Sequence, residues 1–198
     1  MRRSLVLWSL LAALYLGFRL WYDGGGGPLT PEEVARYLSV FEERGTDPAR
    51  VEKVREFLAS DTGSEFVMAN FIHLTDSPDA QQDMDRYMAH MYPELFRRAC
   101  HPVLVGPVVA RALDYWGIEN GERWSMVGLV RYRSRRDVME ISTNPAFADA
   151  HQFKTAAMAQ TIAIPVEPGF QLGSPRWLVA GALLTLGALL QLALWRRT

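Results

Sequence analysis

Apolar residues crowd the two ends of the chain and recur at regular intervals between them. The runs 4–22 (SLVLWSLLAALYLGFRLWY) and 177–195 (WLVAGALLTLGALLQLALW) are apolar on every helical face, and the second carries no charge. At about 1.5 Å per residue, each extends roughly 28 Å, close to the hydrocarbon thickness of a bilayer. A helix without a polar stripe needs lipid or a large core around it. A chain of 198 residues has no core that accommodates two such helices. Two membrane-spanning helices are therefore expected, at 4–22 and 176–195, with a folded portion between them.

Arg2 and Arg3 precede the first run, and Arg196 and Arg197 follow the second. Basic flanks favour the cytoplasmic side. Both termini are expected in the cytoplasm of a cell whose inner membrane the chain crosses twice, with residues 23–175 on the outer, periplasmic side. Arg176 works weakly against this, and Arg19 has a stem long enough to snorkel to the interface. Trp21, Tyr22, Trp177 and Trp195 suit interfacial belts, whereas Trp8 lies deeper. The competing reading of the first run is a cleaved signal peptide. It has a basic start and an apolar stretch, but no A-x-A site, although Gly25 and Gly27 are small enough to precede a cut.

Between the runs the periodicity changes several times. Residues 23–29 (DGGGGPL) form a flexible linker. Residues 30–62 read as a helical hairpin: Thr30, Pro31 and Glu33 make a capping box, and Val34, Tyr37, Leu38 and Phe41 share one face. Gly45 stops the first helix and Asp47-Pro48 starts the second, whose Val51, Val54 and Leu58 point inward. Glu52, Lys53, Arg55 and Glu56 form a solvated face.

Strand formers dominate 65–74 (EFVMANFIHL). Phe66, Met68, Asn70 and Ile72 point one way and Val67, Ala69, Phe71 and His73 the other, so a central strand covered on both faces is expected. An Asp at Val127, in a later strand, is then expected to unfold the domain. A helix follows at 78–99, kinked or divided at Pro93. A strand at 101–109 is pushed to an edge or a bulge by Pro102 and Pro107. Glu119-Asn120-Gly121-Glu122 is a turn, 124–132 a strand, 134–141 and 145–159 helices, and 161–166 a short last strand. Residues 168–175 form a second linker. Over 64–167 the order is βαββαβ, an α+β, ferredoxin-like arrangement with helices on one sheet face and the other face in need of cover.

Charge and cysteine content narrow the function. A net charge of −1 offers nothing to nucleic acid. Cys100 is the single cysteine, which excludes an intramolecular disulfide and a thiolate metal cluster. It reads as a small apolar filler. Neither a cofactor nor a metal is implied, since H-E-x-x-H, P-loop, G-x-G-x-x-G and G-x-S-x-G patterns are missing.

The segment Val130-Arg-Tyr-Arg-Ser-Arg-Arg-Asp-Val-Met-Glu-Ile141, with Asn144-Pro-Ala-Phe147 and His151-Gln-Phe-Lys154-Thr-Ala-Ala157, resembles the dimeric α+β barrel superfamily. The likeness spans about 65–166. It implies two ferredoxin-like sheets packed face to face in a homodimer. That superfamily holds cofactor-free monooxygenases, haem-degrading enzymes and many members without a known activity, so the likeness implies a fold rather than a reaction.

Candidate site residues are the polar groups on the strands and on the late helix: Asn70, His73, Trp124, Arg131 and His151. They are expected to converge between sheet and helices. Asn70 is a candidate oxyanion holder, and His151 a base or haem ligand on the same helical face as Phe147, Lys154 and Met158. Met84, Met88 and Met91, spaced like a soft copper site, read as core or dimer interface. Arg131, Arg133, Arg135 and Arg136 read as a solvated basic cluster balanced by Asp137 and Glu140.

Two functions fit. The first is a membrane-tethered, self-associating binding, sensing or scaffold module. The second is a membrane-anchored dimeric-barrel enzyme, cofactor-free monooxygenase-like or haem-related, acting on a small apolar molecule. A roomy pocket with two or more convergent polar groups favours the enzyme, and a cleft filled by Phe and Met side chains opposes it.

Overall fold

The computed structural model describes residues 2–24, 26–119, 121–171 and 173–195. Met1, Arg196 and Arg197, Asn120 of the expected turn, Gly25 of the first linker and Leu172 of the second lie outside them. The chain divides into two units, the terminal segments together and residues 26–167.

In the terminal unit, α1 (Arg2–Asp23) and α7 (Pro175–Trp195) are each long and apolar enough to cross a membrane. They pack together through a small residue: a Cβ at Gly187 would lie 2.6 Å from the Trp8 ring and 2.8 Å from Leu11. Side-chain polar bonds join the pair near both helix ends. Gln191 Nε2 donates to Ser4 Oγ at 2.8 Å, and Asp23 receives both Arg19 and, at 2.7 Å, Arg176. The shared carboxylate neutralises the two basic residues that sit uneasily at these helix ends.

Residues 26–167 begin with the hairpin. In α2 (Pro31–Glu43), Thr30 Oγ1 accepts from the Glu33 amide at 3.2 Å and Glu33 returns the bond at 2.9 Å, completing the capping box. Gly45 leaves the helix at φ +68°, and Asp47 caps α3 (Pro48–Ala59). The hairpin is closed by Asp61, which accepts from the amides of Leu29 at 2.8 Å and Gly63 at 3.0 Å. Gly63 has φ +74°, and a Cβ there would lie 2.5 Å from the Gly27 carbonyl carbon. Any side chain at Gly63 collides with backbone.

The sheet holds β1 (Phe66–Leu74), β2 (His101–Pro107), β3 (Met126–Tyr132) and β4 (Met158–Val166) in the antiparallel order β2-β3-β1-β4. This is the ferredoxin-like order. β2 is an edge strand with a register shift between Pro102 and Leu104, as its prolines demand. α4 (Ala80–Arg97) joins β1 to β2, and α5 (Arg135–Thr143) with α6 (Pro145–Ala157) joins β3 to β4.

Four expectations change. Of the two readings of Pro93, division of the helix is the one that fails: α4 runs on through Pro93, with Met91 and fully buried Leu95 holding its last turns in the core. The late helix stops at Ala157: pairing of Leu74 with Met158 draws residues 158–160 into β4. The basic cluster is not a solvated patch. Arg131 bonds Glu65, Arg133 bonds Asp137 at 2.7 Å, Arg135 reaches the Phe57 carbonyl and Arg136 bonds Glu33 at 2.8 Å, so these arginines clamp the hairpin and strands together. Glu140 instead accepts from the Tyr37 hydroxyl at 3.2 Å.

The fourth change is confined to β1, which is not covered on both faces within the single chain; the open sheet face itself is as expected. Helices bury one face of the sheet, around Phe66, Met91, Leu95, Val130, Tyr132 and Ile141. The face bearing Ala69, Phe71, Val127, Leu129, Ile162 and Ile164 stays partly open in the single chain, with Leu104 56% and Ile164 48% exposed. Val127 is half-buried on this face, so the expected outcome of Val127→Asp is now a single chain that stays folded, with the carboxylate reaching water.

The Glu33 carboxylate, held by the Arg136 guanidinium and the Thr30 amide, titrates at about 2 rather than 4.5. A depressed carboxylate contributes stability above its ordinary value and loses it as pH falls toward the folded value. Glu33→Gln should therefore flatten the loss of thermal stability between pH 4.5 and 2. Equal pH slopes for the two proteins would show that the clamp does not form.

Candidate functional site

Between the sheet and its helices lies a cavity of about 540 Å³, within the range of small-molecule sites. The period-2 pattern of the strands supplies its floor: Met68, Asn70 and Ile72 from β1, Met126, Gly128 and Val130 from β3, Thr161 and Ala163 from β4. A Cβ at Gly128 would meet nothing within 4 Å, so this glycine opens the floor. The roof comes from Met84, Tyr87, Met88 and Met91 of α4 and from Phe147, His151 and Lys154 of α6. The hairpin adds Phe41, Arg44, Thr46, Arg50 and Val54.

Asn70 stands opposite Gly128 in the register. Its Nδ2 donates to the Met68 carbonyl at 3.0 Å and the Gly128 carbonyl at 3.1 Å. Both amide protons are used on the backbone, which orients the side chain and leaves Oδ1 as an acceptor on the cavity floor. His151 is held toward its neutral form, first by burial and then by Lys154, Arg50 and Arg44. Burial, with Arg50 adding to it, lowers the Lys154 ammonium. Burial pushes the Tyr87 hydroxyl up to about 12, so it remains a neutral donor. Lys154 Nζ lies 5.8 Å from the centre of the Tyr87 ring.

The five candidates divide between the two sheet faces. Asn70 and His151 line the cavity. His73 points to the open face, where its Nδ1 is 3.1 Å from Ser125 Oγ, and the same Oγ accepts from the Leu74 amide at 2.9 Å. Trp124 packs on Phe71 at 5.9 Å between ring centres and donates to the Gly121 carbonyl at 3.0 Å. Arg131 is buried on the same side, bonded to Glu65 at 2.6 Å and to the Ala99 carbonyl at 2.7 Å. The alternation that puts Asn70 on the cavity side sends His73 and Arg131 away from it. Full convergence was never available to them.

The helical spacing places Lys154 beside His151. Tyr87, Arg44 and Arg50 carry no local signal, and only the packing of the hairpin brings the two arginines to the cavity. Met84 and Met91 are buried and part of its wall. Burial pushes the Cys100 thiol up to about 11, which makes it an inert, protonated filler.

No family model matches the chain, and no curated protein matches it. Among solved structures it is similar to a protein of unknown function from Rhodopseudomonas palustris, with TM-score 0.52 and 23% identity over 63% of this chain and 97% of that one. At this distance the likeness carries the fold alone. SnoaB, a cofactor-independent oxygenase from Streptomyces nogalater, has TM-score 0.39 and 12% identity over 56% of this chain and 99% of its own. A dimeric ferredoxin-like protein of unknown function from Bacteroides fragilis has TM-score 0.36 and 14% identity over 55% and 99%.

Proposed function

We propose that the chain is a membrane-anchored, self-associating module that binds a small, largely apolar molecule in the cavity between its sheet and helices. The observation that carries this reading is the cavity itself, apolar over most of its lining and opened at its floor by Gly128. The anchors are α1 and α7, and the basic flanks favour cytoplasmic termini with residues 26–167 on the outer side. The open face around Phe71, Val127 and Leu129 supports a homodimer, since an apolar sheet face needs cover. The five sequence candidates divide accordingly: Asn70 and His151 serve the ligand, while His73, Trp124 and Arg131 serve the strands.

A second reading is an enzyme in the same cavity. It is favoured by Asn70, Tyr87 and a His151 kept neutral, which converge on one space and together give an acceptor, a donor and a base.

Native mass spectrometry of the full chain released from nanodiscs tests the main reading. We expect a dimer carrying a small molecule. Val127→Asp should give a monomer that keeps the ligand, because the open face and the cavity lie on opposite sides of the sheet. A ligand-free wild-type chain that also takes up no added aromatic compound would overturn the binding role. A monomeric wild type would overturn self-association.

A further inference from the structure

The cationic groups at the cavity are not balanced there. Among the described residues no Asp or Glu lines it, whereas Arg44, Arg50, His151 and Lys154 do. Arg44 is already used: its Nη1 and Nη2 donate to the carbonyls of Ser142 at 2.7 Å and Thr143 at 2.8 Å, capping the end of α5. The side chains of Lys154 and Arg50 have no hydrogen bond or ion pair among the described residues. Lys154 is the unusual one. It is half-buried against the Tyr87 ring, with no carboxylate partner among the described residues, on a wall built mostly of Met, Tyr and Phe together with His151. Desolvating an ammonium without a partner is unfavourable, and a protein that keeps one on the wall of a largely apolar cavity has a use for it.

We infer that the ligand is an apolar molecule bearing one anionic group of carboxylate type, its body lying over Gly128 and Asn70 and its anion received by Lys154 and Arg50. This rests on the cavity being the binding site and adds the chemical class of the occupant. The two cations come from different parts of the chain, Arg50 from α3 and Lys154 from α6. The anion therefore bridges the hairpin to the ferredoxin-like portion. Asn70 Oδ1, an acceptor, does not suit the anion and leaves the charged end to the cationic side. The same chemistry is met in fatty acids and in aromatic acids.

The test uses the full chain in phosphatidylcholine nanodiscs, with empty nanodiscs as the blank, and isothermal titration calorimetry. The probes are 2-naphthoate, its neutral analogue naphthalene-2-carboxamide, and octanoate. We expect 2-naphthoate to bind roughly tenfold to a hundredfold more tightly than the carboxamide, the range of a charge-assisted bond. Lys154→Met, which keeps the apolar stem and removes a partnerless charge, should erase that preference, and Lys154→Arg should restore it. Gly128→Leu, which fills the floor, should weaken both naphthalene probes. Octanoate binding as tightly as naphthoate assigns an acyl source, and weaker octanoate binding assigns an aromatic one. Equal affinity for naphthoate and carboxamide in the wild type overturns the anion assignment while leaving the cavity a binding site. Binding of none of the probes overturns both. Naphthoate binding unchanged by Lys154→Met and Gly128→Leu also overturns the assignment.

Discussion

Glu65→Ala should destabilise residues 26–167 by about 3–5 kcal/mol, the cost of stranding a buried charge. Arg131 is the most deeply buried charged residue in the sheet, its side chain only 2% exposed. Its Nε lies 2.6 Å from Glu65, and Nη1 donates to the Ala99 carbonyl at 2.7 Å. Ala99 itself sits at φ +55° just past the end of α4, a conformation that L-residues other than Asn and Asp rarely take. Removing the carboxylate takes the Glu65 anion away from a guanidinium that stays buried. The double variant Glu65→Ala/Arg131→Met removes both charges and should recover most of the loss. Hydrogen exchange of the β1 and β3 amides in the full chain reads this directly. Protection should fall by roughly two to four powers of ten in the single variant. A single variant with wild-type protection would mean that Arg131 is solvated by another route.

Leu186→Arg should keep α7 from crossing the membrane. Leu186 is 46% exposed in the helix pair, whereas the adjacent Gly187 faces Trp8. The substitution therefore acts on the side turned away from α1, the side proposed to meet lipid, and leaves the contact with α1 intact. An Arg at the middle of a span costs about 2.5–3.5 kcal/mol on the insertion scale, enough to shift a single helix decisively. Because α1 remains as the other proposed anchor, fractionation alone is a poor readout. A fluorescent protein fused after Thr198, which matures only in the cytoplasm, should be bright in the wild type and dark in Leu186→Arg. Equal brightness in both would contradict the proposed span. A dark wild type would contradict the cytoplasmic C-terminus.

Local chemistry wrote much of this architecture into the sequence. The capping box at Thr30–Glu33, the stop at Gly45 and the Asp47-Pro48 restart depend on neighbours within a few residues, and each forms as the spacing requires. The alternation in 66–74 separates Asn70 from His73, and Pro102 with Pro107 marks β2 as an edge. Where a residue's fate depended on distant packing, local reading failed. Pro93 is carried inside α4 by the burial of Met91 and Leu95. The arginines of 131–136 look like a solvated run until Glu33, Glu65 and the end of α3 meet them.

The candidate site shows the same division. Sequence periodicity determined that Asn70 shares a face with Met68 and Ile72, and that His151 shares one with Phe147 and Lys154. It also determined that both chain ends are apolar on all sides. Only the tertiary structure decided which sheet face is covered by helices, that a cavity remains there, and that Arg44 and Arg50 arrive from the hairpin to join Lys154. The reason is physical. A strand's alternation and a helix's turn follow from bonds between near neighbours, and they assign every side chain to a face. What lies against that face is settled by burial summed over segments far apart in the chain, and no local pattern carries that sum.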